Sequence, residues 1–281
     1  MARSAILNVM VRAAEKAARR INRDFGEVEN LQVSRKGPGD FVTIADRRAE
    51  ETIRDELEWA RPGWSFLMEE SGEIEGRDTT RRWIIDPIDG TTNFLHGIPH
   101  FAISIAAEEQ GRITAGIILN PVTGDLFTAE RGSGAFYNDR RMRVAQRKKL
   151  VDCVAATGVP HLGRGDHGAY LHDISRVMRE VAGVRRFGSA ALDLAYLAAG
   201  RFDVFFEDGL APWDVAAGIL MVREAGGFVS DRDGRQEMFS TGSIVAGNED
   251  VHGQLLAILK EARKRHHLTA PGTAGDEGSQ S

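Results

Sequence analysis

The stretch Trp83-Ile84-Ile85-Asp86-Pro87-Ile88-Asp89-Gly90-Thr91-Thr92-Asn93-Phe94 decides how the rest of the chain is read. Its first residues predict an apolar strand that runs into Asp86. A buried carboxylate without a partner is costly, so an acid at the end of an apolar strand calls for something positive beside it. Pro87 fixes the turn and removes a backbone donor. Asp89 follows three residues after Asp86, so a turn can aim both carboxylates at one point. Gly90-Thr91-Thr92 reads as the start of a helix, where glycine permits close approach and free N–H groups can receive an anion. A cation site next to an anion cradle is what metal-assisted phosphoryl transfer needs. The ordinary alternative is an Asp-Gly turn in which Asp89 caps a helix.

Three other acidic segments stand beside apolar ones. Phe66-Leu67-Met68 leads into Glu69-Glu70, which taken by itself reads as an ordinary acidic loop. In Asp40-Phe41-Val42-Thr43-Ile44-Ala45-Asp46, Thr43 is placed to cap a helix and Asp46 to favour its dipole. Asp214 falls in the first turn of the apolar helix that starts at Pro212-Trp213, where a dipole-stabilised carboxylate and a metal ligand are equally good readings. No His or Cys pairs occur at zinc spacing, and an all-oxygen donor set suits Mg²⁺ or Mn²⁺. Asp231 to Gly234 lacks the glutamate of a calcium loop and is read as a turn between strands. No P-loop or dinucleotide glycine fingerprint is present.

Outward from these acids, the spacing predicts amphipathic helices over 4–22 and 43–59, separated by a Gly37-Pro38-Gly39 loop. Strands over 65–68 and 82–85 precede an antiparallel meander over 101–107, 113–119 and 125–129. After about residue 150 the pattern alternates: strands 151–156, 184–187, 202–206, 228–229 and 244–246, with helices 170–181, 190–199, 213–224 and 250–264. The expected class is α/β (α+β). An N-terminal α+β subdomain, 1–149, holds most of the acids and a C-terminal α/β subdomain, 150–265, completes the site. The tail 266–281, rich in Gly, Thr, Ser and Ala, reads as disordered.

The bulk properties agree with an ordinary globular protein of 281 residues, 42% hydrophobic and 27% charged, so a substantial core is available. A net charge of -5 gives no chain-wide basic surface for nucleic acid. The single cysteine, Cys153, cannot form an intrachain disulfide and sits in an apolar run. No stretch reaches the length of a membrane span and no signal peptide is visible, so a cytoplasmic protein is expected.

Taken together, Asp86 to Phe94, Trp213-Asp214 through Glu224-Ala225-Gly226-Gly227, Glu69-Glu70-Ser71 and Asp40 to Asp46 resemble the inositol monophosphatase family, in the same order along roughly residues 5–264. The resemblance implies a layered αβαβα sandwich, usually a homodimer, inhibited by lithium. It implies that Glu69, Asp86 and the carbonyl of Ile88 hold one Mg²⁺ and that Asp86, Asp89 and Asp214 hold a second. Glu69 would reach a weaker third, and Mn²⁺ is a possible substitute. Gly90 and Thr91 would seat the phosphate. Thr91, paired with Asp46, would help Glu69 activate the attacking water. Gly188, Ser189, Ala190 and Glu207 align with the segments that contact the inositol hydroxyls, with Ser189 where threonine is frequent. The implied reaction is hydrolysis of myo-inositol 1-phosphate to inositol and phosphate.

The same scaffold serves fructose 1,6-bisphosphate and other small phosphate monoesters; Glu207, able to accept from a polyol hydroxyl, favours inositol. Some bacterial relatives also bind RNA polymerase or act in ribosome biogenesis, and for that reading the basic stretch Arg140 to Lys149 is the feature to follow. Solvated turns on an acidic protein are the simpler account of that stretch.

Overall fold

The computed structural model describes residues 3–27, 33–37, 40–160 and 165–269. The chain begins with α1 (Ala5–Phe25), a hairpin of β1 (Val33–Gly37) and β2 (Asp40–Thr43), and α2 (Ile44–Ala60). Next come β3 (Trp64–Met68), β4 (Gly72–Ile74), β5 (Asp78–Asp89) and the short α3 (Thr91–Leu95). The meander follows as β6 (Ala102–Glu109), β7 (Arg112–Leu119), β8 (Leu126–Glu130), β9 (Gly134–Tyr137) and β10 (Arg140–Arg141). The second half contains β11 (Val154–Thr157), α4 (His167–Val177), β12 (Gly183–Arg185), α5 (Ala190–Ala198), β13 (Val204–Asp208) and α6 (Pro212–Glu224). It ends with β14 (Phe228–Ser230), α7 (Met238–Thr241), β15 (Ser243–Gly247) and α8 (Glu249–Thr269).

Two sheets result. One has eight strands in the order β10-β9-β8-β7-β6-β5-β3-β4, antiparallel except where β3 runs parallel to β5. The other has five, β12-β11-β13-β15-β14, parallel from β12 to β13 and antiparallel beyond. Alternating side chains bury both faces of both sheets. In β5, Ile85 packs with Met10, Ile21, Ile53 and Leu57 of α1 and α2, while Ile84 faces the core with Leu194 and Leu220 of α5 and α6. In β13, Phe205 turns toward that same helical layer and Phe206 toward Val177 of α4 and Leu255 and Leu259 of α8. The order of layers is therefore α1/α2, large sheet, α5/α6, small sheet, α4/α8, the αβαβα sandwich expected. Residues apolar on both faces, rather than alternating with polar ones, are the signature of such covered sheets.

Several boundaries depart from the sequence reading. Residues 150–152 form a 3₁₀ turn and the strand begins only at Val154. Helix α4 starts at His167 because the Asp166 side chain accepts from Ala169 N at 2.9 Å, and it stops at Val177. The hairpin β1–β2 flanks the Gly37-Pro38-Gly39 segment, whose last two residues lie outside the described residues. The turn at Asp231 is present, with Gly234 N donating to Asp231 O at 3.0 Å, but α7 is inserted before β15. Helix α8 continues through 266–269, beyond the start assigned to the tail; residues 270–281 lie outside the described residues. Burial pushes the Cys153 thiol up to about 11, as suits an inert core residue.

Candidate active site

A strict two-residue alternation would point Asp86 and Asp89 to opposite faces of β5. The register shows why they do not diverge. Asp86 pairs with Ser104 and Asp89 with Ala102, so three steps on β5 oppose two on β6. The extra residue falls at Pro87-Ile88, where proline has no N–H to give the ladder, and the bulge returns Asp89 to the side of Asp86. Asp86 is 2% exposed; its Oδ1 accepts from Ile88 N at 2.9 Å, which holds the bulge closed.

Neighbouring elements bring the other acids. Met68 pairs with Ile85, so Glu69 leaves the adjacent parallel strand level with Asp86, its N–H bonded to Ile85 O at 3.2 Å. Ser104, opposite Asp86, donates to Trp213 O at 3.2 Å and fixes the first turn of α6 against β6. That helix approaches the sheet closely: a Cβ at Gly116 would lie 3.0 Å from Ala217 Cα. Asp214 is thereby delivered to the same point, its Oδ2 accepting from Ala211 N at 2.7 Å. Oxygens of Asp86, Asp89 and Asp214 lie within 4.8 Å of one another, and Glu69 interacts directly with Asp86. Asp89 lies at the start of α5, where Ser189 Oγ donates to its Oδ2 at 2.5 Å and Ala191 N at 2.8 Å.

The electrostatics follow from this crowding. Burial, then Glu69, Asp89 and Asp214, raise Asp86 well above the usual carboxylate range. Burial likewise raises Asp89, to about 6, against the opposing hydrogen bonds from Ser189 and Ala191. Among the described residues neither Asp86 nor Asp89 forms an ion pair with a Lys or Arg. Such a set is stable together only with protons or cations, and hard carboxylate donors without thiolate or imidazole fit Mg²⁺ or Mn²⁺.

Around the acids stand the remaining expected residues. Gly90 has φ +99°, and a Cβ there would sit 3.1 Å from Gly188 O, so glycine is required both for the turn and for contact with the second half of the chain. Thr91 Oγ1 is 3.1 Å from Ile88 O and 3.4 Å from Asp46 Oδ1. Asp46 is fully buried and its Oδ2 accepts from Thr43 N at 2.8 Å, completing the capping box at α2. The helix-capping and site-facing readings of Asp46 thus hold together, through its two oxygens. Ser189 caps α5 as well as donating to Asp89, and Ala190 follows it as the first helical residue. Glu207, at the end of β13, is raised well above its ordinary value by burial, then by Asp193, Asp89 and Asp214. Its carboxylate occupies the space that a side chain on Gly158 would take, a Cβ there lying 1.8 Å from Oε1.

Two residues gain a place that sequence reading did not give them. Asn93 Nδ2 donates to His100 O at 2.7 Å and Phe187 O at 2.8 Å, so the Asp86–Phe94 segment itself anchors the loop that leads to Gly188. Asp193 is 1% exposed within α5, near Asp89 and Glu207, and its Oδ1 has no hydrogen-bond partner. The available signal was a single acid in the otherwise apolar run Ala190 to Ala198.

A five-layer sandwich with three carboxylates converging where β5 meets α5 and α6 defines the class, a metal-dependent phosphatase. The chain belongs to the inositol monophosphatase family, whose model matches residues 2–265. It is 65% identical to the inositol-1-monophosphatase of Mesorhizobium japonicum, over 93% of this chain and 98% of that one. It is 46% identical to the Nus factor SuhB of Escherichia coli, over 91% of this chain and 96% of that one. The crystal structure of the extragenic suppressor protein suhB from Bartonella henselae superposes with a TM-score of 0.90 at 62% identity, covering 92% of this chain and 99% of that one.

Proposed function

We propose that the protein hydrolyses myo-inositol 1-phosphate to inositol and inorganic phosphate with Mg²⁺, two to three ions per subunit. The observation that carries this is the meeting of Asp86, Asp89 and Asp214 within 4.8 Å, with Glu69 against Asp86. Asp86, Glu69 and the Ile88 carbonyl would hold one cation, and Asp86, Asp89 and Asp214 a second. Bound there, divalent cations neutralise the phosphate, favour ionisation of the attacking water and stabilise the leaving oxygen. The chain itself supplies orientation. Gly90 and Thr91 seat the phosphate at the start of α3. Thr91, held between Asp46 and Ile88 O, positions the water whose proton passes toward Glu69. Gly188, Ser189 and Ala190 form one wall for the polyol, and Glu207 accepts from a hydroxyl across it. A comparison of kcat/KM on myo-inositol 1-phosphate and fructose 1,6-bisphosphate tests the substrate; strong preference for the bisphosphate would reject inositol.

Ile98 and Phe187 are 46% and 40% exposed beside a segment that Asn93 and His100 tie together. That patch supports a homodimer, which light scattering on the eluted protein checks. No helix among the described residues is long and apolar enough to cross a membrane, consistent with a place in the cytoplasm. Lithium inhibition, expected of the family, is read in the same turnover assay.

The name Nus factor, carried by the Escherichia coli relative, supports a second reading in which the protein also contacts transcription machinery. In the basic stretch, Arg147 is committed to Asp203 at 2.8 Å, whereas Arg140, Arg143, Lys148 and Lys149 are exposed. Pulldown of RNA polymerase by the wild type but not by a charge-reversed version of these four residues would uphold it. Absence of capture would leave the enzyme alone.

A further inference from the structure

Helix α6 carries Asp214 in its first turn and Arg223 in its last, nine residues on and roughly 13 Å away along the axis. Around Arg223 the β6–β7 turn, the end of β8 and the start of α7 enclose a cavity of about 430 Å³, within the size range of small-molecule sites. Arg112, Arg131 and Arg223 line it together with Ile113, Ile219 and Phe239.

None of these three guanidiniums forms an ion pair among the described residues, because the nearby acids are engaged elsewhere. Glu109, opposite Arg112 in the ladder, takes Arg81 at 2.9 Å and Thr114 Oγ1 at 3.3 Å. Both oxygens of Glu224 accept from Gly132 N and Gly134 N at 2.9 Å. Glu237, the acid in the cavity wall, accepts from Ser240 Oγ at 3.3 Å. The arginines are nonetheless oriented. Arg131 Nε and Nη2 both donate to Ile113 O, at 2.9 and 2.7 Å, and Arg223 donates to Gln236. Burial and the neighbouring Arg131 hold Arg223 below its ordinary value, so an anion placed between them relieves a real repulsion. Three guanidiniums against one carboxylate also stand out on a protein of net charge -5.

We propose that this cavity is a second ligand site, separate from the acid cluster, for a small anion joining a diphosphate to a planar apolar group, the chemistry of a nucleoside diphosphate. Guanidinium forks suit phosphate oxygens and stack on planar rings. Phe239, half-buried at the cavity, offers the apolar wall.

The test is calorimetric titration of the full-length, Mg²⁺-loaded protein with ADP and with adenosine. It is run on the wild type, on Arg112→Ala/Arg223→Gln, on Arg112→Glu, on the equal-charge control Arg140→Ala/Arg143→Ala and on Asp89→Asn. The expected result is one ADP site per chain, weakened at least tenfold by either cavity variant and kept in the control and in Asp89→Asn, with no uptake of adenosine. Turnover of inositol 1-phosphate stays unchanged in Arg112→Glu, whose native guanidinium has no hydrogen bond or ion pair to lose among the described residues, which shows that this variant folds. Absence of saturable ADP binding, equal affinity in the cavity variants, an equal loss in the control, or loss confined to Asp89→Asn would each overturn the proposal.

Discussion

Two groups of acids, one at the candidate active site and one between α4, β13 and α8, meet opposite fates. In the second, Asp173 is fully buried, and its Oδ2 receives Arg232 Nη1 at 2.7 Å and Arg263 Nε at 3.2 Å. The same two arginines reach Asp208 Oδ2, at 2.7 and 2.6 Å. Burial raises Asp173, and the two guanidiniums pull it back. At Asp86 burial is compounded by three more acids, and no basic side chain offsets it among the described residues. An acid cluster completed by arginines closes a structure. One gathered by a bulge, a parallel neighbour and a helix start, with its oxygens converging, fits a cation from outside.

The sharpest way to break this contrast is to remove one charge from each cluster, an acid from the first and an arginine from the second. Asp86→Asn is expected to lower turnover by well over about 100-fold, more than the loss usual for a residue that only supports a metal ligand, while the protein stays folded. Phosphate release at millimolar Mg²⁺ measures it, and near-normal activity would refute the metal assignment. Arg232→Ala should do the reverse. It leaves Asp173 to Arg263 alone and costs stability in denaturant unfolding, short of the roughly 3–5 kcal/mol for a buried charge left with no partner. The variant protein that remains folded keeps its Mg²⁺ affinity.

Metal removal sharpens the contrast through pH. A carboxylate whose folded value is raised binds more protons folded than unfolded across the window between the two values. The metal-free protein therefore loses stability as pH rises from about 4 through about 6, the range set by Asp89. For Asp89 alone the loss is on the order of 2–3 kcal/mol, and Mg²⁺ should abolish the slope. Thermal melts at several pH values, with and without Mg²⁺, check this; a metal-free protein more stable at pH 7 than at pH 5 would contradict it. The smallest effect is expected of Ser189→Ala, which removes the 2.5 Å donor to Asp89 and the cap of α5. Roughly tenfold weaker Mg²⁺ activation, at the low end for a residue supporting a ligand, is expected in a metal titration of activity.

Much of the fold was legible because its signals are local. The period of α1, the apolar run at Ile84-Ile85 and the breaks at Gly111 and Gly124 each specify an element from a few neighbouring residues. Boundaries failed where a side chain outside the apolar pattern decided them, as Asp166 does for α4. The hairpin β1–β2 failed for want of period-two alternation. In the site, Asp86 and Asp89 stood out alone, whereas Glu69, Asp46 and Asp214 became readable only in combination. Asn93 was missed because its partner Phe187 lies 94 residues away, and Asp193 because its only mark in sequence is one acid in an apolar run, while its unpartnered oxygen shows only in the folded chain.

By itself, the sequence determined that acids follow apolar strands and open apolar helices, since charge and hydrophobic period are properties of the chain. It also required a compensating positive charge, because burial of a carboxylate is costly in any fold. Tertiary structure decided that these acids share one point. The one-residue bulge at Pro87-Ile88 aligns Asp86 with Asp89, Ser104 pins Asp214 through Trp213 O, and α5 directs its first N–H groups at Asp89. It decided as well that Asp173, an acid of the same kind, is answered by Arg232 and Arg263 instead. Which carboxylate meets an arginine and which is left for a cation depends on contacts across 59 or 90 residues, and only packing sets those.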